Sequence, residues 1–134
     1  MSNFDFEPDL SAPGANTRIS LLYRDASNYK SSKDVVIAGR LSPDQFASMG
    51  TTLSDREFLI PSQVGLPDIQ SELSGSWGDD DHVFHTIDGI ELTDDAPTVE
   101  QTVEGMIASW PKSDRDWDVV AALDRVAPRG YGGI

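Results

Sequence analysis

Between Arg56 and Lys112 the chain carries twelve Asp and Glu residues and not one Lys or Arg. Apolar residues interleave with these acids throughout, so the stretch reads as one acidic side of a folded domain rather than an acidic tail. The flanks differ sharply: residues 1–56 have a net charge of −1 and residues 112–134 are balanced, so the middle supplies nearly all of the −13. A field of this sign repels phosphate backbones and anionic head groups, which argues against direct nucleic-acid or membrane binding. It attracts basic surfaces, including those other proteins use to hold DNA or RNA. The competing explanation is solubility or adaptation to salt.

A chain of 134 residues fits one domain with an ordinary core, and 38% apolar content suffices to form it. Without cysteine there is no disulfide framework, thiolate metal site or thiol nucleophile. Residues 1–16 lack a basic and apolar leader pattern, and no apolar run approaches a membrane span. The expected location is cytoplasmic. Residues 1–17 are expected to be a flexible arm, with Phe4, Phe6 and Leu10 able to dock it on a partner or on the domain itself. Residues 18–127 form the single domain, and residues 128–134 a flexible tail.

The domain reads as β-β-α-β-(α)-β-β-α-α. Ile19, Leu21 and Tyr23 alternate with polar neighbours as in a half-buried strand, and Val35, Val36 and Ile37 favour a second. Ser42, Pro43 and Gln45 spell a capped helix start, with Leu41 and Phe46 placed as a hydrophobic staple and Gly50 as the stop. Phe58, Leu59 and Ile60 suggest a third strand. Residues 67–73 suggest a helical turn or two, and residues 74–81 a loop. Asp88-Gly89 suits a two-residue hairpin turn, which puts Val83, His85, Ile87, Ile90 and Leu92 on one core face. Thr98 and Gln101 form a second capping box ahead of the stripe Val99, Val103, Met106, Ile107 and Trp110. Ser113 caps a last helix that buries Trp117, Val120 and Leu123. The fold class is α+β: a small, mostly antiparallel sheet covered on one face by two C-terminal helices plus the short capped helix.

The segments LYRDASNYK (22–30), FLIPSQVGLP (58–67) and DHVFH (81–85) resemble small uncharacterised bacterial and phage-borne proteins, over about residues 18–110. The resemblance implies a mobile-element origin and brings no activity with it.

Three functions fit the residues. The leading one is a non-enzymatic interaction module, using Asp79, Asp80, Asp81, Asp88, Glu91, Asp94 and Asp95 to engage a basic protein surface. In its sharpest form it is an inhibitor that occupies a partner's nucleic-acid groove. Tyr23, Arg24, Asn28 and Tyr29 form a secondary patch, since Tyr and Arg anchor interfaces well; the alternative is a turn in which Asp25 or Asn28 bonds its own backbone. The second function is a small metal-dependent enzyme built on His82, His85 and Asp81. Histidines three apart face opposite ways on a strand, so that site requires His82 to lie in the preceding loop. The third is a structural or assembly subunit, with oligomeric state open. No nucleophile elbow, phosphate loop or other cofactor motif is present.

Overall fold

The structure, a computed structural model, describes residues 4, 6–26, 29–72 and 82–126. Asn28, Asp79, Asp80, Asp81, the loop expected at residues 74–81 and the tail after residue 126 lie outside the described residues. Strands β1 (Asn16–Arg24), β2 (Lys30–Ala38) and β3 (Thr86–Thr93) make an antiparallel sheet in the order β2-β1-β3. Helices α1 (Pro43–Thr51), α2 (Ile69–Glu72), α3 (Val103–Ser109) and α4 (Val119–Val126), with a 3-10 turn at Pro61–Val64, complete the small α+β fold. α2 lies against β1 and β2, and α3 packs on the 3-10 turn. No helix among the described residues is long and apolar enough to cross a membrane.

The alternation read from β1 holds. Ile19, Leu21 and Tyr23 are wholly buried, while Arg18, Ser20 and Leu22 face the other way and stay partly exposed. Thr17 is also buried, its hydroxyl donating to Gly39 O (2.8 Å) and accepting from Leu41 N (3.0 Å), which satisfies it in the core.

The hairpin at Asp88-Gly89 does not form. β3 runs straight through that pair and lies along β1 instead. Ser20 pairs with Gly89 and Leu21 with Ile87, so Asp88 is an extra residue in the ladder, a β-bulge. A bulge reverses the alternation beyond it, and Ile87 and Ile90, three apart, both turn inward. The predicted core face is therefore right although the turn is wrong: Val83, His85, Ile87, Ile90 and Leu92 are all buried. The expected strand at Phe58–Ile60 shrinks to two isolated bridges, Phe58 with Ser54 and Leu59 with His85; in the latter Leu59 N donates to His85 O (3.0 Å) and His85 N to Leu59 O (2.9 Å).

The start of α1 follows the sequence in detail. Gln45 N donates to Ser42 Oγ (3.1 Å), and Ser42 N donates to Gln45 Oε1 (2.9 Å). Gly50, however, stays helical, and the helix continues to Thr51 with Thr52 as its cap. At the next helix the predicted capping box fails. Thr98 serves the exposed edge of β2, its N–H reaching Val36 O and its hydroxyl accepting from Val36 N, both at 2.9 Å. Thr102 caps α3 instead, through Gly105 N (3.0 Å), and Gln101 donates to Val64 O (2.8 Å). Ser113 closes only a turn. Asp118 caps α4, accepting from Ala121 N at 3.0 Å. The later start turns Val120 to solvent, 69% exposed, while Ala122 takes the inward place.

Two tryptophans lock these helices to α1. Trp110 and Trp117 meet edge to face at 5.2 Å, and their ring N–H groups donate to Thr52 Oγ1 (2.9 Å) and Thr52 O (2.8 Å). At the other end, Phe4 and Phe6 pack on Phe46 with ring centroids 4.8 and 5.8 Å away, so these rings dock on the domain itself. Arg40 gathers the carbonyls of Leu10, Ala12 and Gly14 beside them.

Candidate functional site

The Leu59–His85 bridge places the turn after α1 beside the start of β3, and a cleft of about 440 Å³ opens between them. Ser54 and Phe58 close that turn by exchanging backbone hydrogen bonds of 2.8 and 2.9 Å, with Asp55 and Arg56 held in left-handed backbone at φ 51° and 62°. Such backbone costs a side-chain-bearing residue roughly 1–2 kcal/mol, and here it delivers Glu57 and Phe58 to the cleft. Phe84, His82 and Asp88 line it from the β3 side, and Arg24 and Asp25 from the end of β1. Phe58 and Phe84 pack at 5.8 Å, an aromatic wall beneath a charged rim.

The two histidines flank one tyrosine, each ring centroid 5.3 Å from that of Tyr23. His82 does precede the pairing of β3, the condition the sequence set for both rings to reach one ion. Yet each ring is spent on the backbone. His82 Nδ1 accepts from Phe84 N (3.0 Å), so Nε2 carries the proton and donates to Arg24 O (2.7 Å). His85 Nε2 accepts from Ile69 N (3.0 Å), leaving Nδ1 to donate to Val83 O at 3.3 Å. Burial pushes the His85 imidazole down to about 4. It is therefore neutral, and its 3.4 Å approach to the Asp68 carboxylate is not an ion pair at neutral pH. A metal on either ring has to displace a backbone hydrogen bond. No group of three or more potential ligands occurs among the described residues, and Asp81 lies outside them.

The predicted acidic surface divides into two kinds. Glu91 and Asp95 both pair with Arg18, which stands directly across the ladder from Glu91, and Asp94 accepts from Ala15 N at 3.0 Å. Glu91 and Asp95 thus tie β3 and the residues after it to β1, while Asp94 holds Ala15, just before β1. Asp88 is exposed and, among the described residues, unpaired; so are Glu57, Glu100 and Glu104, acids of the same cation-free stretch that lie outside the predicted set. The secondary patch also divides. Tyr23 is a core residue with no exposed surface, Tyr29 is 62% exposed, and Arg24 lies on the cleft rim. Asp25 Oδ1 accepts from Tyr29 N (2.9 Å), the local turn bond that the sequence offered as the alternative.

Sequence reasoning missed Glu57, Phe58 and Phe84 as neighbours. A signal existed in the strand alternation: with Val83 and His85 on the core face, Phe84 falls on the opposite one, where a large aromatic has to find another covering. Compared with protein-family models, with curated proteins and with solved structures, the chain matches none of them.

Proposed function

We propose that the protein is a non-enzymatic interaction module whose acidic side engages a basic surface on a partner protein, in the sharpest case the groove with which that partner holds nucleic acid. One observation carries the reading. Glu57, Asp88, Glu100 and Glu104 belong to the cation-free stretch, stand exposed, and have no internal partner among the described residues. Carboxylates left in this state add a negative field without stabilising the fold, and such a field speeds and orients docking on a basic surface. Both histidines are occupied by backbone groups, which favours this reading over a metal-dependent reaction at His82 and His85. Asp79, Asp80 and Asp81 extend the same charge along the chain.

The test is to capture the partner on the immobilised protein from an extract of its native cell, and to measure its affinity against salt and after Asp79→Asn, Asp80→Asn and Asp81→Asn together. The reading requires steep weakening in both cases. Binding indifferent to salt and to the triple substitution would sink it.

A further inference from the structure

We propose that the cleft lined by Glu57 and Phe58 from the turn after α1 and by Phe84 and Asp88 from the β3 side receives a single arginine side chain of the basic partner. This deepens, and rests on, the interaction reading above. Three features of the lining select that ligand.

The first is charge. Among the described residues, Asp25, Glu57 and Asp88 line the cleft against one cation, Arg24, and no ion pair joins Arg24 to any of them. Asp25 is committed to the Tyr29 amide. Glu57 and Asp88 are the carboxylates left to meet a guanidinium, and they reach the cleft from two different parts of the chain. The second is the wall. Phe58 and Phe84 are half-buried, their rings tilted 48° to one another, with His82 at 6.3 Å from Phe84 extending the surface. His82 has both nitrogens bonded to backbone, so it offers a ring rather than a hydrogen-bonding group. An aromatic face attracts a cation, and most strongly a weakly hydrated planar one that can stack. Arginine meets that description better than lysine, and its fork can address two carboxylates at once. The third is size. At about 440 Å³ the space lies within the roughly 300–1,000 Å³ of small-ligand pockets, suited to one long side chain rather than a chain segment.

The experiment uses the full chain and a short arginine-rich peptide, with its all-lysine analogue as the comparison. Binding is followed by titration calorimetry and by NMR of the Phe58 and Phe84 ring protons. The arginine peptide should bind more tightly and shift both rings. Phe84→Leu should weaken it about fivefold, and Glu57→Gln with Asp88→Asn about tenfold. Asp34→Asn, which removes one carboxylate charge at an exposed position on β2, should have the smallest effect. Phe84 is partly buried, so Phe84→Leu is first checked by thermal melting. If it fails to fold, the exposed Glu57 and Asp88 pair decides alone. Cleft variants that bind like the parent, while Glu100→Lys and Glu104→Lys weaken binding, overturn the arginine pocket and leave the acidic-face reading intact. No binding of either peptide even at low salt overturns both.

Discussion

His85 is the residue on which most depends locally. It is 1% exposed, bridges to Leu59 through its backbone, and accepts the first amide of α2 through its ring, so one residue joins three separate parts of the chain. Its imidazole is held down from 6.5 to about 4, chiefly because burial disfavours the charged form. Between those values the unfolded chain binds a proton that the native protein does not. Stability at His85 is thus complete above about pH 6.5 and lost as pH falls towards 4, by about 3 kcal/mol across the window. Urea melts from about pH 7 to about pH 5 should show this loss in the parent and a clearly shallower one in His85→Gln. Equal slopes would mean that His85 is not buried neutral. Gly65 makes a second residue-level case. It ends the 3-10 turn in left-handed backbone at φ 76°, with Leu66 N returning to Pro61 O at 2.9 Å, and a Cβ there runs into the Gln101 side chain. Gly65→Ala should cost about 2 kcal/mol in the same melts.

At the scale of elements, a strand-edge contact and a helix cap compete for the same threonines. Thr102→Ala removes the cap of α3 and should cost ~1 kcal/mol. Thr98→Ala instead leaves Val36 N without its side-chain acceptor, so hydrogen exchange at Val36 should quicken while α3 amides keep their protection. The reverse pattern would restore Thr98 as the cap. Gly89 tests the bulge: a Cβ there meets Ser20 only at 3.8 Å, and its backbone is not left-handed. Gly89→Ala should therefore stay within about 0.5 kcal/mol of the parent, where a type I′ turn would lose more. These cases also mark what could be read in advance. The capping box of α1 joins two residues only three apart, and both its bonds appear as the sequence implied. Turn or bulge at Asp88-Gly89 is different, because either one places Ile87 and Ile90 on the same side. The choice depends on β1, some seventy positions earlier, which offers β3 a partner. Thr98-x-x-Gln101 is a sound local cap that lost to the unpaired edge at Val36. Val120 was misplaced because Trp117 packs from outside the helix, so counting from it set the wrong face. The cleft was illegible for a related reason: Glu57 and Phe58 reach Phe84 and Asp88 only through the long-range Leu59–His85 bridge.

For the whole molecule the decisive quantity is where the charge goes. Arg18 and the Ala15 amide absorb Glu91, Asp95 and Asp94 at one corner of the sheet. Exposed pairs of this kind are worth no more than about 1 kcal/mol, so Glu91 and Asp95 serve to align the β3 side with β1, and Asp94 to hold Ala15 before β1, rather than to stabilise the molecule at large. Among the described residues, the acids of the middle stretch that remain unpaired, Glu57 and Asp88 beside the cleft and Glu100 and Glu104 near α3, set the outward field. The most direct measurement is the affinity of the captured partner from about 50 mM to about 500 mM salt, for the parent and for Glu57→Gln with Asp88→Asn, each with and without competing nucleic acid. Electrostatic docking on a basic groove predicts a steep loss of affinity with salt, a shallower slope in the variant, and displacement by nucleic acid. A flat salt dependence, with nucleic acid and the acidic protein bound side by side, would contradict it.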